Sequence, residues 1–121
     1  MAHDNRTAAT EPAALAQLFN QRANAGDVEG LVALYEPDAV LAAGRVVATG
    51  HAEIRAFYTD LLGRRSDFPA PETLEPVRNG ALALTFARLP NGALSVEVAR
   101  AQPDGTWLWA IDQLKIAPPK A

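Results

Sequence analysis

The 121-residue sequence contains no cysteine, which excludes disulfides, zinc–thiolate sites and cysteine nucleophiles. No apolar run approaches the roughly 20 residues of a membrane span, and no basic segment followed by an apolar one opens the chain, so we expect neither a span nor a signal peptide. Lysine and arginine do not cluster and the formal net charge is −3, which argues against nucleic acid and anionic membranes as partners. Together these absences favour a cytoplasmic protein.

Histidine is also scarce, since only His3 and His51 occur. Their surroundings contain no metal-ligand spacing, and the glycines fall in predicted turns rather than in a phosphate-binding loop. Ser95 has no nucleophile elbow and no partner histidine nearby. We therefore expect no metal site and no cofactor.

Helical spacing of apolar residues dominates the first half of the chain. We predict a loose tail over residues 1–10 and a first helix over Thr10–Gly26. A second helix, capped by Asp27, is predicted to extend through Tyr35, and a third covers about His51–Leu62. A short hairpin around Gly44-Arg45 lies between the second and third helices.

The second half contains three dipeptides that are typical of hairpin turns: Asn79-Gly80, Asn91-Gly92 and Asp104-Gly105. They predict four antiparallel strands in a meander, with Pro76 placing the first strand near an edge. Helices followed by strands favour a single α+β domain over residues 11–117, in which a curved antiparallel sheet is wrapped around three N-terminal helices.

Two-residue turns would fix the register of this meander. In that register Arg88 faces Ser95, Phe86 faces Glu97, and Glu97 faces Asp112. The two acids then lie side by side with Arg88 on the diagonal. Finding Arg88 and Asp112 on opposite faces would contradict the catalytic hypothesis, because the register on which it depends would be wrong. The rest of this face is apolar: Leu82, Leu84, Phe86, Ala99, Ala101, Leu108, Ala110 and Leu114. Polar groups set among apolar ones are typical of a pocket.

The other meander face is also too apolar to be left in water. It is predicted to carry Trp107, Trp109, Val96 and Val98. Because three helices can cover only one face, we expect the second face to pair with another copy of the chain in a homodimer. The alternative is that both tryptophans pack on loops or on the N-terminal tail.

Several motifs resemble the nuclear transport factor 2-like superfamily, in particular its SnoaL-like and ketosteroid isomerase-like branch. They are the Gly26-Asp27 helix opening, the Tyr35-x-x-Asp38-Ala39 exit, the Gly50-x-x-x-Ile54 helix start and the final Asp-Gly-x-Trp hairpin. The resemblance implies a cone-shaped, cystatin-like α+β fold with a pocket inside its open end, commonly dimerising through the sheet.

Comparison with the ketosteroid isomerases argues against a steroid isomerase of the familiar design. The tyrosine that donates to the oxyanion in that family corresponds to Phe19, and the aspartate base corresponds to Ala43. Neither side chain can do that chemistry. The family's second oxyanion donor corresponds to Glu97, and two supporting tyrosines correspond to Tyr35 and Tyr58.

The remaining candidates for catalysis are Glu97 and Asp112. At a cross-strand spacing of about 5 Å, two carboxylates repel by roughly 3 kcal/mol, so one should keep its proton near neutrality. We expect Asp112 to remove or relay a proton while Glu97, with the Tyr58 hydroxyl, stabilises an oxyanion. The predicted substrate-binding residues are Arg88, Tyr58, Phe19, Phe86, Ala43, Ala110, Leu114 and Tyr35.

This pattern fits a cofactor-free isomerase, cyclase or lyase acting on a small apolar carbonyl compound. Two other classes stay open at this point: a protein that binds a small molecule without chemistry, and a dimerisation module with a vestigial pocket. Arg88 and Glu97 could equally form a simple ion pair at the rim of the sheet.

Overall fold

The computed structural model describes residues 7–116, which form three helices and one curved, unclosed seven-stranded sheet. The helices are α1 (Ala14–Asn24), α2 (Val28–Val32) and α3 (Gly50–Arg64). The strands are β1 (Tyr35–Ala43), β2 (Val46–Thr49), β3 (Glu72–Thr73), β4 (Val77–Asn79), β5 (Leu82–Arg88), β6 (Leu94–Ala101) and β7 (Trp107–Ile116). The α+β class is confirmed.

The strand order is β2-β1-β7-β6-β5-β3, and β4 also pairs with β5. All neighbours are antiparallel except β1 and β7, which run parallel, so the predicted antiparallel sheet contains one parallel pair. The predicted first meander strand is divided into β3 and β4 by a break that contains Pro76, and both pieces lie at the edge of the sheet as that proline indicated. No helix within residues 7–116 is long and apolar enough to cross a membrane.

The packed part of the chain begins before the predicted boundary at residue 11. Ala9 is buried, and its carbonyl accepts a hydrogen bond from the Trp107 amide at 2.9 Å. The prediction that residues 1–10 form a loose tail is therefore wrong at Ala9. His3 and the predicted domain end at residue 117 lie outside the described residues.

The local helix signals are mostly confirmed. Asp27 caps α2 by accepting a hydrogen bond from the Gly30 amide at 3.0 Å, and the hairpin around Gly44-Arg45 is present. The extension of α2 through Tyr35 is wrong, because Tyr35 begins β1 and pairs with Trp109 of β7. Long-range pairing outweighs the helical spacing of a segment this short.

The register predicted for the β5–β6 hairpin is wrong by one residue. Arg88 pairs with Leu94, not Ser95, because the turn contains three residues rather than two. Pro90 is the reason: it favours the first corner of a type I turn, and Gly92 follows at φ 88° in the left-handed region. Phe86 consequently faces Val96, and Arg88 lies on the face opposite Asp112.

The β6–β7 hairpin has the same three-residue loop, with Pro103 preceding Asp104-Gly105. A bulge then shifts the pairing by one residue, back to the register that a two-residue turn would give. Ala99 pairs with Trp109 but Val98 pairs with Ile111, which leaves Ala110 as an extra residue. Beyond the bulge Glu97 faces Asp112, which confirms the predicted pair. The two-residue turn from which that pair was predicted is wrong.

The bulge and the loops decide which side chains face inward. We call the face that carries Glu97 and Asp112 the inner face, and it also carries Trp107 and Trp109, each only 3% exposed. The ring of Phe19 on α1 lies 6.1 Å from that of Trp109. The prediction that both tryptophans lie on a dimerising outer face is therefore wrong.

The outer face is nonetheless apolar. Leu82 and Ile111 are 43% and 53% exposed there, on strands next to the partly buried Val96 and Val98 of β6. Two of the four residues predicted for the outer face, Val96 and Val98, are thus placed correctly.

We predict that the two tryptophans emit as buried indoles. Their fluorescence should be blue-shifted and weakly quenched by iodide in the folded protein, and both Trp107→Phe and Trp109→Phe should retain this behaviour for the remaining ring. Iodide quenching close to that of the denatured chain would contradict the inward placement.

Candidate functional site

Two acids form the polar centre of the inner face. Glu97 on β6 is 5% exposed and Asp112 on β7 is 1% exposed, and they are direct cross-strand neighbours. Carboxyl groups are rarely buried without partners because removing their charge from water is costly. Their hydrogen bonds therefore determine what the pair can do.

Asp112 is held by a chain of tyrosines from β1 and α3. The Tyr35 hydroxyl donates to Asp112 Oδ2 at 2.5 Å, and the hydroxyls of Tyr35 and Tyr58 lie 2.7 Å apart. His51 donates from Nε2 to the Tyr35 carbonyl at 2.8 Å, which ties α3 to the start of β1. Asp112 Oδ1 is buried and has no hydrogen-bond partner among residues 7–116.

Glu97 is held by a second chain, which comes from the sheet itself. The Trp109 indole donates to Thr85 Oγ1 at 3.2 Å, and Thr85 Oγ1 donates to Glu97 Oε1 at 2.5 Å. An indole N–H can only donate, so the threonine oxygen must accept from it and direct its own hydrogen to the carboxyl group. Glu97 Oε1 is thereby fixed as an acceptor.

Burial raises the pKa of both acids. For Asp112 it raises the pKa well above the usual aspartate value, the charge of Glu97 adds to the rise, and the hydrogen bond from Tyr35 opposes it. The pKa of Glu97 is also raised by burial, with hydrogen bonds from Thr85 and Ser95 acting against the rise. The pKa of each tyrosine hydroxyl is raised well above its usual value, first by burial, so both tyrosines remain neutral donors.

Two adjoining cavities lie against this pair. The smaller, about 70 Å³, is lined by Glu97, Asp112 and Ser95 together with apolar residues that include Trp109. The larger, about 620 Å³, is lined by parts of α1, α3, the loop after α3, the β5–β6 turn and the end of β7. Four residues line both cavities: Phe19, Pro71, Leu89 and Leu114. The larger has the size of a ligand pocket, whereas the smaller has room for only a small group.

The predicted pocket residues fall into three groups. Phe19 and Leu114 line both cavities, and Ala43 lines the larger one. Tyr35 and Tyr58 are fully buried behind Asp112. Among residues 7–116, neither tyrosine belongs to the lining of either cavity, so both position the acid rather than contact the pocket.

Three predicted pocket residues are misplaced. Arg88 and Phe86 lie on the outer face, where Arg88 forms an exposed ion pair with Glu72 at 3.4 Å. Ala110 is the bulge residue, and the linings of both cavities omit it. The opposite placement of Arg88 and Asp112 contradicts the catalytic hypothesis in its predicted form, with Arg88 beside the acids. The pairing of Glu97 with Asp112 remains.

Sequence reasoning missed Thr85 and Trp109 because the register put both on the outer face. The signal for the correct placement is proline: Leu89-Pro90-Asn91-Gly92 and Gln102-Pro103-Asp104-Gly105 are both patterns for a type I turn closed by a left-handed glycine. The bulge at Ala110 carries no comparable signal.

The described residues contain no group of three histidine, cysteine, aspartate or glutamate side chains that could hold a metal ion. The polar groups at the centre of the inner face are two carboxyl groups and the hydroxyl groups that hydrogen-bond to them.

No protein-family model and no curated protein matches the chain, but solved structures do. A ketosteroid isomerase-like protein from Erwinia carotovora atroseptica is 23% identical, with a TM-score of 0.72 over 87% of this chain and 93% of that one. A putative calcium/calmodulin-dependent protein kinase type II association domain from Thiobacillus denitrificans is 13% identical, with a TM-score of 0.80 over 95% and 100%. A nuclear transport factor 2-like protein with a cystatin-like fold from Novosphingobium aromaticivorans is 21% identical, with a TM-score of 0.64 over 84% and 76%.

These likenesses confirm the resemblance at the level of the fold. The chain has the nuclear transport factor 2-like, cystatin-like fold, which its ketosteroid isomerase-like neighbours share. At these identities the fold does not decide the activity, because one fold supports many sites.

We predict that Asp112→Asn stabilises the protein increasingly as the pH rises. Between the usual aspartate pKa and the raised pKa of folded Asp112, the folded state binds more protons than the unfolded state, so the wild-type free energy of unfolding falls with rising pH. The asparagine amide mimics the protonated acid, so the variant does not lose stability in this way as the pH rises. The variant should be similar to wild type near pH 4 and more stable by about 1–3 kcal/mol near pH 8.

Urea unfolding across this pH range measures the difference. Asp38→Asn is the matched control, because Asp38 is an exposed carboxyl group. Parallel pH profiles for wild type and Asp112→Asn would contradict a buried acid that keeps its proton.

Proposed function

We propose that the chain is a cofactor-free enzyme that moves a proton on a small carbonyl compound, in an isomerisation, cyclisation or elimination. One observation carries the proposal: two buried, mutually facing carboxyl groups line a small cavity that adjoins a pocket of ligand size. The curved sheet would be the cone that the resemblance implies, with the larger pocket in its open end.

The hydrogen bonds favour different roles for the two acids. Burial and the charge of Glu97 raise the pKa of Asp112, and whereas Glu97 Oε1 accepts from Thr85, Asp112 Oδ1 has no donor among the described residues. An oxygen in that position is best satisfied by carrying the proton itself, which makes Asp112 the hydrogen-bond donor. Glu97 is then the base. This reverses the roles expected from the resemblance.

The proposed step balances within the pair. Glu97 removes a proton from the carbon next to the carbonyl, and Asp112 gives its Oδ1 proton to the carbonyl oxygen, producing an enol. In a conjugated substrate this enol is a dienol. Glu97 then returns its proton to a carbon further along the dienol while the enol O–H proton passes back to Asp112 Oδ1, which completes an isomerisation and restores both acids. Tyr35 and Tyr58 act as positioning residues, because Tyr35 donates to Asp112 Oδ2, Tyr58 hydrogen-bonds to Tyr35, and Oδ1 is left to the substrate.

The size of the cavities determines how the substrate binds. The smaller cavity accommodates a carbonyl group and its neighbouring carbon, while the remaining apolar body lies in the larger pocket beside Phe19 and Leu114. Binding in the larger pocket alone is the non-catalytic alternative, and it requires neither acid.

We predict that the protein accelerates exchange of the α-protons of an apolar ketone in D₂O, with 2-tetralone as the probe and proton NMR as the measurement. Both Glu97→Gln and Asp112→Asn should reduce the enzyme-dependent rate by about 10²-fold or more, since each removes one partner in proton transfer. Tyr35→Phe should reduce it less.

Arg88→Gln is the control for this experiment, because Arg88 lies on the outer face and should leave the rate unchanged. Exchange that persists in both acid variants would rule out the proposed chemistry. Binding of the ketone with no enzyme-dependent exchange would leave the non-catalytic alternative.

We also propose that the chain forms a homodimer through the outer face. The surface is apolar and partly exposed, and it comprises Leu82, Leu84, Phe86, Val96, Val98 and Ile111. Such a continuous apolar surface favours burial against a second copy. One structural neighbour is described as an association domain, which is consistent with assembly on this fold.

We predict that Leu84→Glu shifts the protein from dimer to monomer, because it would bury a carboxylate at the interface. Analytical ultracentrifugation measures the oligomeric state. Ala52→Glu serves as the control, because it adds a carboxylate at an exposed position of α3 rather than on the outer face. A wild-type protein that sediments as a monomer at high concentration would refute the interface.

A further inference from the structure

The larger pocket is cationic although the chain as a whole is acidic. The full chain has 14 acidic and 11 basic residues, yet among residues 7–116 the pocket lining includes Arg65 and Lys115 and no aspartate or glutamate. Neither cation forms a salt bridge within the described residues. The pocket therefore favours anionic ligands, although the protein as a whole carries a net negative charge.

Arg65 is held in place by contacts rather than left to move freely. Its Nε donates to the Asp67 carbonyl at 2.9 Å, and its guanidinium carbon lies 4.6 Å from the centre of the Phe68 ring. This stacking and the single hydrogen bond orient the planar group and leave its two terminal nitrogens without an acceptor among the described residues.

Phe68 is itself fixed to α1. The Asn24 side chain accepts from the Phe68 amide at 2.8 Å and donates to its carbonyl at 3.0 Å, and Asn20 also donates to that carbonyl at 3.0 Å. Two asparagines thus secure the loop that forms this wall of the pocket, and the stacked Arg65 is secured with it. A side chain positioned before binding loses less entropy when a ligand arrives.

The cations and the acids line different cavities, which share part of their lining. Arg65 and Lys115 line only the larger pocket, and Glu97 and Asp112 line only the smaller. The surfaces that line both cavities are apolar: Phe19, Pro71, Leu89 and Leu114. A ligand that fits has an anionic end, an apolar middle and a neutral reacting end.

We infer that the ligand of this pocket is an amphipathic organic carboxylate, bound through its carboxylate by Arg65 and Lys115. This inference rests on the proposed function, because the same pocket holds the ligand in both. The inferred ligand is an anion, whereas the sequence predicts a small apolar molecule. The carboxylate keeps the charged end in the larger pocket and directs the neutral end towards the buried acids, where a second negative charge would be repelled.

The test uses two probes of the same shape and different charge, 2-naphthylacetate and 2-naphthylacetamide, titrated by calorimetry near pH 7. The wild-type protein should bind the carboxylate about tenfold more tightly than the amide, as expected for two ion pairs that face water. The double variant Arg65→Gln/Lys115→Gln should lose this preference and keep its affinity for the amide. Raising the salt concentration should narrow the wild-type preference.

Arg88→Gln is again the control, because it removes one positive charge from the other face of the sheet. Equal affinity for the two probes, or a carboxylate preference that survives in the double variant, would overturn the inference. Failure of both probes to bind would overturn it as well.

Glu97→Gln separates this inference from the proposed chemistry. Its carboxylate preference should equal that of wild type, because Glu97 does not line the larger pocket. If the wild-type protein prefers the carboxylate probe through Arg65 and Lys115 but catalyses no proton exchange, the anion site is supported and only the proposed catalysis is contradicted.

Discussion

The cross-strand pairing of Glu97 with Asp112 is the interaction on which the rest of the site depends. Side chains alternate between the faces of a strand, so a one-residue change of register moves each of them to the other face. The three-residue turn before β7 makes such a change, and the extra residue Ala110 reverses it. Trp109, before the bulge, and Asp112, beyond it, can then both face inward.

Burying the pair raises the energy of its charged forms, and the surrounding structure offsets only part of that cost. Tyr35 and Thr85 each give one hydrogen bond to a carboxyl oxygen, while Asp112 Oδ1 receives none within the described residues. Incomplete solvation of this kind raises an acid's pKa, and we propose that the pair keeps a proton near neutrality. The cost of burying the pair also destabilises the fold, which is consistent with the proposed function.

The sequence predicted what local chemistry controls. The Asp27 cap, the Gly44-Arg45 hairpin, the α+β class and the resemblance follow from short-range patterns, and the structure or the comparisons confirm them. The predicted placement of Arg88, Phe86 and the tryptophans is wrong because the turns that contain Pro90 and Pro103 have three residues rather than two. The Ala110 bulge and the tyrosine chain behind Asp112 depend on contacts between distant segments, which no local pattern encodes.

The most direct test of this account is the protonation state of the two acids. Carbon-13 NMR of the carboxyl carbons, assigned with Glu97→Gln and Asp112→Asn, follows each group from about pH 4 to about pH 8. The account predicts that the pair keeps one proton at neutral pH, so that a carboxyl carbon of the pair retains the shift of an acid. Both carbons reaching the carboxylate shift at an ordinary pKa would contradict it.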